Sequence, residues 1–202
     1  MTLVLDLPAP VREFLDELVA TLTAAVDLEA VYLHGSAARG AFDPRTSDLD
    51  VYAVTASKLT EGEKRELAER VGRLQVPAQK LELVVYSREE AATEEPSYEL
   101  NTGDPDVSDF WFVLDRAAAE QTAVALVGPP WSDVFAPVPR ERILQALAES
   151  LEWQERNDPS GAGSMVNVMR ALHWLETGTW TSKPAVAAWL REHVRETLER
   201  KR

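Results

Sequence analysis

Gly35-Ser36-Ala37-Ala38-Arg39-Gly40-Ala41-Phe42-Asp43-Pro44-Arg45-Thr46-Ser47-Asp48-Leu49-Asp50 is the stretch on which the reading of this chain turns. Before it, Leu28 to Leu33 alternates in polarity and runs into His34-Gly35-Ser36, a strand ending in a turn. The turn leads to a short helix expected over Ala37 to Phe42, stopped by Asp43-Pro44. Free N–H groups and the dipole at a helix start attract phosphate. Gly35 lets the backbone approach a ligand, and the Ser36 hydroxyl adds a donor. Eleven residues separate Ser36 from Asp48. Leu49 to Val54 reads as a second strand, so Asp48 and Asp50, two apart, point to one face. Two carboxylates on one face repel, and a cation belongs between them. Mg²⁺ is the natural candidate, because it prefers oxygen ligands and shares its shell with phosphates. Leu81 to Tyr86 is a third strand, and Glu82 on it adds a third carboxylate, suited to ligate metal or to take a proton from a hydroxyl. An Asp-x-Asp alone is commonly a pair of surface charges. The combination with the Gly-Ser turn and the later carboxylate points to chemistry.

Around this stretch the pattern is mixed. Val11, Leu15, Leu18, Val19 and Leu22 mark a helix over 10–26, with Pro8 and Pro10 near its start. Thr60-Glu61-Gly62-Glu63 is a capping box opening a helix to about Leu74, and Ser87-Arg88-Glu89-Glu90 is another. Pro96 to Asp106 reads as an irregular surface loop whose Glu99, Asp104 and Asp106 can attract a cationic substrate. Helix resumes over Asp109 to Gln121, and a strand over Val124 to Val127 stops at Gly128-Pro129-Pro130. Beyond that boundary everything is helical. Ile143, Leu144, Leu147 and Leu151 predict one core face; Val166, Met169, Leu172 and Leu175 a second; Val186, Leu190, Val194 and Leu198 a third. The expected architecture is α+β: a first domain over 1–130 with a mixed sheet and helices, then an all-α helical bundle over 138–202.

Composition narrows the class. The 202 residues include no cysteine, which excludes disulfide scaffolds, thiolate zinc sites and cysteine nucleophiles. The apolar runs are too short to span a bilayer, and Met1 to Asp6 lacks the basic and apolar segments of a signal peptide. The expectation is a cytoplasmic protein with no membrane partner. With 34 acidic against 21 basic residues, the net charge of −13 argues against nucleic acid and suits a cationic partner. His173 and His193 show no metal-ligand spacing, and His34 reads as structural.

Gly35-Ser36, Asp48-Leu49-Asp50 and Glu82 together resemble the nucleotidyltransferase superfamily related to DNA polymerase β. The remainder of the chain is similar to the bacterial streptomycin 3''-/spectinomycin 9-adenylyltransferases. The likeness lies in Val124-Ala125-Leu126-Val127-Gly128-Pro129-Pro130 and Phe135-Ala136-Pro137-Val138-Pro139. It continues in Asn167-Val168-Met169-Arg170-Ala171-Leu172-His173-Trp174, Thr177-Gly178 and Ser182-Lys183. The resemblance covers about residues 28–190. It implies a polymerase-β-like nucleotidyltransferase domain followed by the helical domain. It implies that Asp48 and Asp50 bind Mg²⁺, that Glu82 is the general base, and that Gly35 and Ser36 hold the nucleotide phosphates. Arg170 and Lys183 match basic residues that reach ATP; Trp153 and Asp158 resemble a Trp and Asp that contact streptomycin. The chain departs from the family in the segment Asn157 to Ser164, where the spacing from Trp153 to Arg170 is shorter by about two residues. The expected activity is Mg²⁺-dependent transfer of AMP from ATP to a hydroxyl of a cationic aminoglycoside or aminocyclitol antibiotic, by a monomer. Two alternatives stand beside it: nucleotide transfer to another small molecule or a protein hydroxyl, and a non-catalytic, antitoxin-like regulator on the same fold.

Overall fold

The computed structural model describes residues 7–94, 97–103 and 108–200. The chain divides into two compact units, Met1–Pro139 and Arg140–Arg202. The first contains α1 (Ala9–Ala25), β1 (Leu28–Leu33), α2 (Gly35–Ala38), β2 (Leu49–Thr55), α3 (Glu61–Val71), β3 (Leu81–Ser87) and α4 (Arg88–Ala91). It continues with β4 (Leu100–Asn101), α5 (Asp109–Thr122), β5 (Val124–Val127) and a 3₁₀ turn over Trp131–Asp133. The second unit is α6 (Arg140–Asn157), α7 (Ala162–Thr177) and α8 (Lys183–Arg200). The architecture is α+β, as the alternation and the helical periods predict.

Among the described residues, five strands form one mixed sheet in the order β4-β3-β2-β1-β5. β2 and β3 run parallel, and the other neighbours pair antiparallel. Alternation divides the strand residues between two cores. Val31, Leu33, Val51, Ala53, Leu83 and Val85 pack beneath Leu15, Leu18 and Leu22 of α1 and Leu67 and Val71 of α3. Tyr32, Tyr52, Val54, Val84 and Tyr86 face the other way, against Phe112 and Ala119 of α5 and the pair Trp131 and Phe135. Trp131 and Phe135 stack at 3.9 Å between ring centroids. Each such side chain taken fully from water contributes about 1.5–3 kcal/mol, so the two cores fix the strand register. That register matters for function. β2 and β3 bring Asp50 level with Glu82, and Tyr52 level with Val84, one pleat further along.

Arg116 is buried within this second layer, 2% exposed, and serves it structurally. Its Nη2 donates to the carbonyls of Ala91 at 3.2 Å and Thr93 at 2.7 Å, tying α5 to the end of α4. Both capping boxes form: Thr60 and Glu63 close the start of α3, and Ser87 and Glu90 that of α4.

Several expectations are corrected. The short helix opens at Gly35 rather than Ala37 and makes one turn, because Gly35 accepts a φ of +65° and turns the strand end straight into it. The segment read as loop contains β4, whose two residues are too few to leave a periodic trace; Asp104 and Asp106 lie outside the described residues. Glu99 is not free to attract a substrate. It is 7% exposed, paired with Lys64 Nζ at 3.1 Å, and accepts from the Leu59 N–H at 3.2 Å. In the helical unit, Ile143, Ala146, Leu147, Ala171, Trp174 and Val186 are buried. Leu144, Leu151, Leu172, Leu175, Val194 and Leu198, read as core, are exposed. Within this unit the three helices bury a narrower stripe than the apolar period marks. Arg140 covers the Trp174 ring at 5.0 Å, and α7 ends at Gly178 in the left-handed conformation.

Candidate active site

Strand β1 delivers His34 and Gly35 beside the start of β2, where the His34 N–H donates to the Asp50 carbonyl at 3.0 Å. A Cβ at Gly35 would lie 1.8 Å from Asp50 Oδ2. The glycine is therefore required twice, for its positive φ and for the carboxylate packed against it. Ser36 follows in the first turn of α2, where N–H groups lack intrahelical partners. Asp48 immediately precedes β2, Asp50 lies on it and Glu82 lies across from Asp50 on β3. The three carboxylates that alternation predicts are thus brought together at one end of the sheet face covered by α5.

Lys80 enters the same cluster. Its Nζ lies 2.5 Å from Glu82 Oε1 and 4.0 Å from Asp48 Oδ2. It stands two residues before Glu82, so strand alternation turns both to one side. Asp115 of α5 adds a fourth carboxylate, and Trp111 lies one turn before it. Both line a cavity with Asp50 and Glu82. Burial, the charges of Asp115, Glu82 and Asp48, and hydrogen-bonding contact with Glu82 hold the Asp50 carboxyl well above the ordinary carboxylate range. The site is over-supplied with negative charge, which a bound cation relieves.

His34 forms part of the cavity floor beside Tyr52, their rings 4.2 Å apart. It is 6% exposed, and burial, aided by the Arg39 charge, pushes its pKa down to about 3, so the imidazole is neutral. Lys80, Trp111 and Asp115 escaped the sequence reading. Lys80 left a usable signal in its spacing to Glu82. Asp115 left a fainter one, an acid within the apolar run Phe110 to Ala119.

Among the described residues, no three His, Asp or Glu form a closed metal-ligand set. Asp48 and Asp50 supply hard oxygen donors on one side only. That suits an ion completing its shell with phosphate and water, as Mg²⁺ does.

The four remaining candidates lie in the helical unit. Arg170 Nε donates to the Thr181 carbonyl at 3.1 Å, and its guanidinium lies 5.9 Å from the Trp180 ring. This places it at the turn opening α8, whose first residue is the exposed Lys183. Trp153 is 37% exposed on α6. Asp158, beyond the end of α6, accepts from Ser164 Oγ at 3.0 Å and closes the turn into α7.

Residues 11–112 match the nucleotidyltransferase domain model. The chain belongs to the nucleotidyltransferase domain family. Residues 133–200 match the aminoglycoside adenylyltransferase C-terminal domain. The expectation of an enzyme related to the aminoglycoside adenylyltransferases stands on these two matches in tandem. An aminoglycoside (3'') (9) adenylyltransferase of Klebsiella pneumoniae is 28% identical over 213 residues, covering 92% of this chain and 80% of the relative. One of Rhizobium radiobacter is 33% identical over 91 residues, covering 43% of this chain and 33% of the relative. A spectinomycin adenyltransferase AAD(9) from Enterococcus faecialis, solved with ATP and spectinomycin, superposes with a TM-score of 0.75. It is 16% identical and covers 90% of this chain and 83% of the other, a likeness of fold.

Proposed function

We propose that this nucleotidyltransferase moves AMP from ATP to a hydroxyl of an aminoglycoside or aminocyclitol antibiotic, streptomycin or spectinomycin, and so confers resistance. The observation that carries the reading is the register of Asp50 with Glu82 beside the Gly35-Ser36 turn. Three acidic groups converging beside a helix start suited to phosphate fit phosphoryl chemistry, and a passive binding surface has no need of them. The relatives named as aminoglycoside (3'') (9) adenylyltransferases support the choice of acceptor.

In this reading Asp48 and Asp50 hold Mg²⁺, which supplies charge neutralisation at the phosphates when bound. Gly35 and Ser36 cradle the nucleotide phosphates with backbone N–H groups and the Ser36 hydroxyl. Glu82 accepts the proton of the acceptor hydroxyl, the freed oxygen attacks the α-phosphorus of ATP, and the bond to the bridging oxygen breaks to release pyrophosphate. Lys80 offsets the negative charge of Glu82 and Asp48 before substrates arrive. Arg170 and Lys183 bind the nucleotide, and Trp153 and Asp158 bind the antibiotic, Asp158 as partner to a cationic group and Trp153 as a flat packing surface. The protein acts as a cytoplasmic monomer. No described helix is long and apolar enough to cross a membrane.

The test is pyrophosphate release from Mg-ATP with streptomycin, spectinomycin or no acceptor, and Asp50→Ala as blank. Release that requires a drug and disappears in the variant supports the reading. Mg-dependent ATP binding without release for either drug contradicts the choice of acceptor and leaves transfer to another hydroxyl.

A further inference from the structure

Helix α5 brings to the site two side chains that the mechanism above does not use. Trp111 and Asp115 are four residues apart, so they stand one above the other along α5. Their neighbours Phe112 and Arg116 are buried at 5% and 2%. This anchors the helix and turns the Trp111–Asp115 stripe to the edge where Asp50 and Glu82 emerge. All four line one cavity, with Trp111 half-buried and Asp115 exposed.

A further feature of the cavity points independently to a ligand. His34 lines it and is 94% removed from solvent, and its Nε2 has no hydrogen-bond partner among the described residues. A buried polar atom left without a partner is costly, and such atoms in folded proteins are usually met by water or a ligand. A polar atom in the floor, a carboxylate on the wall and an aromatic ring beside it make a built recess rather than a surface scatter of acids. The recess opens beside the carboxylate assigned as base.

We propose that Asp115 and Trp111 form the acceptor-binding wall of this site, Asp115 taking an ammonium or guanidinium group of an amino-polyol and Trp111 packing on its ring face. The inference rests on the adenylyl-transfer reading and deepens it. It adds to the contact assigned to Asp158 a second point of charge recognition, on the transferase domain itself and next to Glu82. The wall sets which hydroxyl faces Glu82, because the cation and the reacting oxygen are then held at two fixed points. His34 Nε2 meets a further polar group of the acceptor or a water that it retains.

The test is calorimetric binding of streptomycin and spectinomycin to the full chain saturated with Mg²⁺ and a non-hydrolysable ATP analogue. Wild type, Asp115→Asn and Trp111→Phe are compared. Loss of one charge-assisted hydrogen bond should weaken drug binding in Asp115→Asn by about ten- to a hundredfold. The melting temperature should stay at the wild-type value, and the affinity for the ATP analogue should change by far less than the drug affinity. In turnover, KM for the drug should rise while KM for ATP does not. Unchanged drug affinity in Asp115→Asn overturns the proposal and leaves adenylyl transfer standing. An equal loss of ATP-analogue affinity also overturns it, since Asp115 would then serve the metal-bound nucleotide. If wild type binds the analogue but neither drug, the acceptor assignment itself fails and takes this wall with it.

Discussion

Gly35 and Asp50 are matched across the turn between β1 and β2. The carboxylate occupies the space a side chain at residue 35 would need, since a Cβ there would sit 1.8 Å from Asp50 Oδ2. Gly35→Ala should therefore displace Asp50 as well as strain a backbone at φ +65°. The expected result is a melting temperature lowered by several degrees and turnover reduced much further; wild-type turnover in this variant would contradict the assigned role of Asp50. His34 supplies a second prediction at this scale. Its pKa is about 3 in the folded chain, below the ordinary value of 6.5. The unfolded chain therefore binds a proton between those values that the folded chain does not. The stabilisation from the neutral imidazole is complete above about pH 6.5 and is lost as pH falls towards 3, at up to about 1.4 kcal/mol per pH unit. Urea unfolding of wild type and His34→Gln across pH 4–7 should show the shallower slope in the variant.

At the scale of elements, the capping box of α3 is a local device remote from the chemistry. The Thr60 hydroxyl accepts from the Glu63 N–H at 3.3 Å, and the Glu63 carboxylate accepts from the Thr60 N–H at 2.7 Å. Thr60→Ala should cost about 1 kcal/mol, lower the melting temperature by about 2–4 °C, and leave turnover intact. A melt and an activity assay on one preparation check both. This box was legible in the sequence because it is a four-residue pattern with a single mechanism. The strands around Asp50 and Glu82 were legible for a similar reason, since period-two alternation assigns each residue a face. Alternation does not say which strands pair; the register that sets Asp50 level with Glu82 is a tertiary fact. Asp115 and Trp111 approach from a helix whose period says which residues share a stripe, not what that stripe meets. β4 is two residues long and leaves no period. In α7 and α8, apolar spacing predicts more core than the unit buries, with Leu172 at 49% and Leu198 at 58% exposed.

For the whole molecule, the net charge of −13 and the carboxylate-lined site would act together on the cationic acceptor proposed above. Attraction over such distances is screened with a Debye length of about 10 Å at 0.1 M salt. The apparent second-order rate constant for a polycationic drug should therefore fall as salt rises from low to physiological strength, while kcat changes little. Steady-state kinetics across a sodium chloride series tests this, and a flat profile would assign the acidic balance to solubility alone. In the proposed function, Asp48, Asp50 and Glu82 form one working centre for adenylyl transfer to a drug hydroxyl. The most direct measurement is mass spectrometry of streptomycin and spectinomycin after incubation with Mg-ATP and either wild type or Glu82→Gln. Wild type should give a product heavier by one adenylyl group, and Glu82→Gln, without the general base, a rate lower by about 10²–10⁴-fold. Unmodified drug with wild type, or an equal rate with Glu82→Gln, would contradict it.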